Sequence, residues 1–318
     1  MTPADGTGAG RPPILVVGEA LVDVVREGDA VRESPGGSPA NVAVALGRLG
    51  HRPALLTALA DDARGRAVTG WLGGAGVAVR ASVPSTGRTS VAEATIGPDG
   101  GAEYVFDIAW DLAGPETAVE PAPAVVHTGS IATVLDPGAR AVEGLLRAHR
   151  GHALVSFDPN ARPAITPDRA TTAARVEAML PLAHIVKASA EDLAWYHPGV
   201  PPLESARRWA AVRGGRVVVL TLGDEGAVVL RDADEIAVPA RRVRVVDTIA
   251  AGDTFAAAFL DALVRRGVHG PAAGEALHGL AAAELAEAAR WAVAAAAITV
   301  SRQGADPPTR DEVTASLA

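Results

Sequence analysis

Apolar residues along this chain fall into short continuous runs separated by amphipathic stretches. The runs lie at residues 14–17, 125–128, 154–157, 184–187, 217–220 and 227–230. Runs of this length, bounded by turn residues, read as strands buried on both faces. The stretches near 138–150, 169–180, 190–196 and 203–213 carry apolar residues at helical spacing. Strand–helix alternation predicts a mainly parallel sheet with helices on both faces, a three-layer α/β/α domain. Ligands of such sheets bind beyond the carboxyl ends of the strands. Residues 254–297 are alanine-rich and read as helix almost throughout.

Two segments break this pattern. Residues 20–25 continue extended after the first run, and the turn Glu27-Gly28-Asp29 predicts a hairpin with residues 30–32. Residues 89–96 and 103–108 alternate on either side of a Gly/Pro-rich turn at 97–101, a second hairpin. Together they predict a small β-sheet lid built from about 21–34 and 80–110. Tyr104, Phe106 and Trp110 fall in it, either to cover a ligand or to pack its base. After the first hairpin, Ser38 reads as a helix N-cap and Pro39 as the first helical residue, with Gly50 as the stop.

Composition narrows the function. The 318 residues carry a formal net charge of −8 and no basic block, which argues against nucleic acid or an anionic membrane as partner. Cysteine is absent, which excludes disulfides and thiolate metal sites and fits a reducing cytoplasm. No apolar run is long enough to cross a bilayer. Residues 1–13 read as a disordered leader before one domain at 14–318. Lys187 is the only lysine. His149 and His152 read as a solvated helix end, since no carboxylate pattern accompanies them.

The strongest chemical signal is Asp247-Thr248-Ile249-Ala250-Ala251-Gly252-Asp253. Val243 and Val245 predict a strand entering it, and Phe255, Phe259 and Leu263 a helix leaving it. Ala250, Ala251 and Gly252 then make a tight turn at a helix N-terminus, where free N–H groups and the helix dipole favour an anion. Asp253 sits beside that anion. Phosphoryl transfer needs donors on the transferring oxygens and a base for the attacking hydroxyl, and this turn supplies both. A second signal is Gly36-Gly37-Ser38-Pro39-Ala40-Asn41: two glycines allow close backbone approach, and Asn41 offers a donor and an acceptor to a polyol.

These two signatures, in this order, resemble those of the ribokinase-like (PfkB) carbohydrate kinases over nearly the whole chain. Gly18-Glu19 with Asp23 is similar to the family's opening strand and sugar-binding aspartate. Ser38-Pro39-Ala40, and Asp158-Pro159-Asn160-Ala161-Arg162-Pro163 with its sugar-facing arginine, resemble fructokinases. Lys187 to Asp192 and Thr221 to Gly226 are similar to the phosphate-side segment and the nucleotide-binding turn. Ala250 stands where the signature usually has glycine, as in ribokinases, and Ser189/Asp192 stand where Asn and Glu are usual.

The resemblance implies an ATP-dependent kinase for a small sugar, fructose first, with ribose, ketodeoxygluconate, an inositol or a nucleoside as alternatives. It implies acceptor contacts from Asp23, Gly36, Gly37, Asn41, Arg162 and Asp253. It places ATP over Lys187, Ser189, Thr221, Gly223, Gly226 and Gly252. Magnesium would be reached by Asp192 through water. A monovalent cation, potassium, sits in some members at the loop of Asp247 and Ile249. Asp253 would be the base, and the amides of Ala250, Ala251 and Gly252 the anion hole. Lid edges pair into homodimers in some members. The rival from another class is a sugar-binding sensor of the same fold that transfers nothing.

Overall fold

The computed structural model describes residues 11–97, 102–112, 121–166, 168–212 and 216–318. Most of the expected leader, the expected turn at 98–101 and the end of the helix expected to reach 213 lie outside them. The chain opens with β1 (Ile14–Val17), β2 (Leu21–Glu27), β3 (Ala30–Gly36), α1 (Ser38–Arg48), β4 (Ala54–Ala58), α2 (Ala63–Gly74), β5 (Ala78–Ser82), β6 (Val91–Ile96) and β7 (Ala102–Asp107). It continues with β8 (Val125–Gly129), α3 (Gly138–His149), β9 (Leu154–Asp158), α4 (Arg169–Met179), β10 (Ile185–Ser189), α5 (Ala190–Tyr196), α6 (Pro202–Ala211) and β11 (Val217–Thr221). It closes with β12 (Gly226–Arg231), β13 (Asp234–Pro239), α7 (Ala251–Val264), α8 (Ala273–Gly279), α9 (Ala282–Val300) and α10 (Arg310–Leu317).

Nine strands form one sheet in the order β13-β12-β11-β10-β9-β8-β1-β4-β5. It is parallel from β11 to β5, and β12 and β13 add antiparallel at one edge. The continuous apolar run of β1 has its reason here. Ile14 and Val16 enter the core beneath α1, α7 and α9, while Leu15 and Val17 enter the core on the opposite face with Leu145, Phe157 and Trp209. Successive strand residues point to opposite faces, so a strand between two helical layers must be apolar at every position.

A second sheet of four strands, β3-β2-β6-β7, grows from the end of β1. β2 pairs parallel with β6 and antiparallel with β3; β6 pairs antiparallel with β7. Residues 80–82 belong to β5 at the edge of the large sheet, so this second sheet takes up less of 80–110 than expected. Trp110 lies outside it, buried in the main core with its indole N–H donating to the Ala132 carbonyl at 3.0 Å. Tyr104 and Phe106 stack with ring centres 6.0 Å apart, and Tyr104 is exposed.

Several local expectations are corrected. Val243 and Val245 form no strand; both are exposed, and the N–H groups of Val246 and Asp247 both go to the Val300 carbonyl at the end of α9. Alternation alone makes no strand without a neighbour to pair with. Ser38 does not cap α1: the cap position is Gly37, at φ 106, and the Ser38 hydroxyl is used elsewhere. His149 is buried, not solvated. α2 and β4 escaped the sequence pattern because α2 buries only Gly65, Val68 and Leu72.

Ala250, at the cap position of α7, is in the left-handed region at φ 59. Alanine there costs about 1 kcal/mol relative to glycine. Ala250→Gly is therefore expected to raise the unfolding free energy read from urea titration by up to about 1 kcal/mol, and Ala250→Val to lower it by more. A glycine variant clearly less stable than wild type would contradict this.

Candidate active site

α1 and α7 start at opposite ends of the sequence but bring their first turns together. Asp253, in the first turn of α7, is buried. Its Oδ1 accepts from the Ser38 hydroxyl at 2.7 Å and its Oδ2 from the Asn41 side-chain amide at 2.8 Å. Ser38 in turn accepts from the Asn160 amide at 2.7 Å, and Arg162 donates to the Asn160 Oδ1 at 2.7 Å. A chain of donors thus runs from Arg162 through Asn160 and Ser38 to Asp253. It fixes the carboxylate orientation while leaving each oxygen a further lone pair for an incoming O–H. The amide of Asn41 is spent on Asp253, but its Oδ1 is buried without a partner, free for a ligand donor.

On one side of Asp253 lie the residues expected to hold a sugar. Gly36 is bare because the Asp23 carboxylate packs against its face, and Gly37 because a Cβ would stand 2.5 Å from the Glu19 carbonyl. Asp23 stays open at its tip; the surrounding protein pushes its carboxyl up and Arg162 pulls it down. Arg162 is exposed and projects from the loop after β9.

On the other side a cleft of about 1030 Å³ runs along the ends of β10, β11 and β12. All six residues expected to hold a nucleotide line it: Lys187, Ser189, Thr221, Gly223, Gly226 and Gly252. Asn160 and Asp192 line it as well. Its far wall is apolar, from Val243, Val245 and Phe255 to Val293, Ala296, Ala297 and Val300. The α9 residues were not legible as site residues, since small apolar positions on a helix read as core.

Lys187 and Asp158 form a buried ion pair at 2.9 Å beneath this cleft. Burial works against the Lys187 charge, but Asp158, Asp192 and Asp253 outweigh it and hold its pKa above the ordinary value. Burial pushes the Asp158 carboxyl up to about 6 against the pull of Lys187. The Lys187 ammonium lies 2.9 Å from where a Gly252 side chain would begin, so it stands directly under the first turn of α7. A cation there adds to the helix dipole in attracting an anion.

Asp192 does not sit as a free carboxylate. It closes a capping box on α5, its Oδ2 accepting from the Ser189 N–H at 2.8 Å and hydroxyl at 2.7 Å. Its Oδ1 accepts from the Ala161 N–H at 2.8 Å. Asp247 is similarly engaged, with Ile249 N–H on one oxygen and Gly304 N–H on the other, both at 2.9 Å. It therefore pins the loop before α7, and Ile249 is exposed. Among the described residues no group of three His, Cys, Asp or Glu side chains could hold a metal.

The arrangement offers a positioned carboxylate between an open polar site and a long cleft, with an anion-attracting turn at their junction. This is the layout of a phosphotransferase that acts on a hydroxyl. The sequence agrees: residues 12–312 match the pfkB family carbohydrate kinases, and the chain belongs to that family. It is a sugar kinase. Fructokinase-1 of Oryza sativa subsp. japonica is 34% identical over 96% of this chain and 98% of its own length. The crystal structure of a fructokinase with bound ATP from Xylella fastidiosa superposes with a TM-score of 0.85 at 28% identity, covering 96% of this chain and 98% of that one. The aminoimidazole riboside kinase of Salmonella enterica, complexed with aminoimidazole riboside and an ATP analogue, gives 0.78 at 27% identity, covering 96% and 100%.

One residue near the site had no role assigned from the sequence beyond the opening strand. Glu19 is buried, and burial pushes its carboxyl up to about 7, against the Ser130 hydroxyl, its own backbone and Arg162. A carboxyl raised in the fold stabilises fully below its ordinary value near 4.5, and that contribution is lost as pH rises through about 7. Glu19→Gln cannot ionise, so it should gain stability relative to wild type between about pH 5 and about pH 8, by on the order of 2–3 kcal/mol. Urea midpoints across that range test this; parallel curves for the two proteins would contradict it.

Proposed function

We propose that this sugar kinase transfers the γ-phosphoryl group of ATP to a hydroxyl of fructose. The observation that carries the mechanism is the position of Asp253. It is held by Ser38 and Asn41 at the junction of the two sites, while its neighbour Gly252 lines the cleft. The fructokinases among its relatives support fructose as the acceptor.

In this reading the sugar lies between the second sheet and the strand ends, against Asp23, Gly36, Gly37, Asn41 and Arg162. ATP lies along the cleft over Ser189, Thr221, Gly223 and Gly226, its base against the apolar wall. Lys187 and the first-turn amides of α7 face its phosphates. Asp253 takes the proton of the attacking hydroxyl, and the Ala250, Gly252 and Asp253 N–H groups stabilise the charge spread over the transferring oxygens; the Ala251 N–H, expected in the same hole, donates instead to the Thr248 carbonyl at 3.3 Å.

Magnesium would come with the nucleotide and supply neutralisation of its phosphate charge. The Asp192 carboxylate, whose oxygens already accept from Ser189 and Ala161, would meet it only through water. Each Asp247 oxygen accepts one backbone N–H and keeps a lone pair, and no step is assigned to a monovalent ion at that loop. The second sheet, closing over the sugar, would keep water from competing for the phosphoryl group.

A second reading, a riboside as acceptor, is favoured by the likeness to the Salmonella enzyme. A coupled assay with fructose, ribose, ketodeoxygluconate, an inositol and a nucleoside decides between them, run with and without potassium. Turnover of the nucleoside or ribose without fructose would overturn the fructose reading. Asp253→Asn should lower kcat by at least about 100-fold, as for loss of a general base, while sugar and ATP still raise the melting temperature. A variant that keeps most of its turnover would remove Asp253 from the role.

For assembly, we infer a homodimer through the second sheet. Among the described residues its edge strands β3 and β7 each pair on one side only, and they carry the exposed Val31, Tyr104 and Val105. Open apolar edges invite a partner strand. Light scattering should give the mass of two chains, and Val105→Lys should shift it towards one. A wild-type mass of one chain would refute the dimer.

A further inference from the structure

β1 stands where the strand order reverses, with β4 on one side and β8 on the other. In open α/β sheets a ligand is received in the crevice at that point. Glu19 is the second residue beyond β1. It is 5% exposed, and its Oε2 has no hydrogen-bond partner. The Asn41 Oδ1 is in the same condition. Leaving a buried acceptor unpaired costs about 1–3 kcal/mol, so a fold that keeps two such groups close to its site fills them with something.

The charges that act on Glu19 place it. Arg162 attracts it and Asp253 repels it, and the same Arg162 acts on Asp23. The Glu19 backbone carbonyl also lies against Gly37. Glu19 therefore lies near Arg162, Asp253 and Gly37 of the acceptor site assigned above, with the Ser130 hydroxyl also acting on its carboxyl. Its near-neutral titration fits a group that is stabilised when a ligand arrives with a hydrogen-bond donor.

We propose that Glu19 is an acceptor-binding residue, its Oε2 and the Asn41 Oδ1 forming a pair of buried acceptors for two hydroxyls of a polyol. This rests on the acceptor site described under the proposed function. It gives the site a means of selection. A sugar lacking either hydroxyl leaves a buried acceptor unpaired, and sites built to hydrogen-bond a hydroxyl discriminate strongly against its absence. An internal water on Oε2 is the competing account, and it makes Glu19 a purely structural residue.

The test compares wild type, Glu19→Ala and Glu19→Gln, using whichever sugar of the panel wild type phosphorylates. Glu19→Ala should raise the KM for the sugar by at least about ten-fold, the loss of one hydrogen bond to a charged group, with the KM for ATP unchanged. Glu19→Gln keeps an amide oxygen in place, so it should recover part of that loss. It should also remove the change in sugar KM that wild type shows between about pH 6 and about pH 8. Arg162, Asp23 and Asp253 stay in place in both variants. Sugar KM values unchanged in either variant, with only the melting temperature altered, would overturn the proposal. Should Glu19→Ala not fold, the pH response of Glu19→Gln decides alone, and a wild-type-like response refutes it. Sugar-induced shifts in melting temperature are read in parallel for all three proteins. A wild type that is stabilised by sugars but phosphorylates none refutes the kinase mechanism, while the loss of that shift in Glu19→Ala still reads the role of Glu19.

Discussion

The hydrogen bonds from Ser38 and Asn41 to the Asp253 carboxylate are the constraint on which the site depends. They join two helix N-termini separated by more than two hundred residues of chain. Without them α1 and α7 would still pack, since both belong to the same apolar core. The carboxylate, however, would be free to turn, and a base must be within reach of one particular proton. The pair also stands between the residues proposed to hold the sugar, next to the second sheet, and the cleft along β10, β11 and β12.

Electrostatics reinforces this division. An acidic chain must attract an anionic nucleotide against its own net charge. It does so locally, with the dipole of α7 and the Lys187 ammonium beneath Gly252. Asp158 keeps that ammonium charged and in place. Lys187 without Asp158 would be an unpaired buried charge, which costs several kcal/mol. On the sugar side the logic is inverted. The buried Glu19 Oε2 and Asn41 Oδ1 have no partner among the described residues, and in the proposed reading a sugar supplies one.

Much of this was legible in the sequence because each feature has a local cause. Continuous apolar runs gave the parallel strands, and alternation around Gly/Pro turns gave the second sheet. Small residues before a helical pattern gave the anion turn. The six positions that the family resemblance assigns to a nucleotide, from Lys187 to Gly252, meet in one cleft. What could not be read depends on partners distant in sequence. Ser38 looked like a cap because serine before a helix usually is one; its hydroxyl goes to Asp253 instead. Asp192 looked like a metal-side carboxylate, yet its oxygens close a capping box and hold Ala161. Glu19 looked like part of a strand end, and only its buried Oε2, without a partner among the described residues, sets it apart. Val243 and Val245 alternate like a strand but have no neighbour to pair with.

The central claim is that Asp253 accepts the proton of the sugar hydroxyl as it attacks the nucleotide. The most direct measurement is a crystal structure of the protein with its sugar and a non-hydrolysable ATP analogue. The account predicts one sugar hydroxyl within about 2.6–3.2 Å of an Asp253 oxygen, in line with a γ-phosphate lying over the first turn of α7. A sugar hydroxyl facing another base, or a nucleotide bound away from that turn, would contradict it.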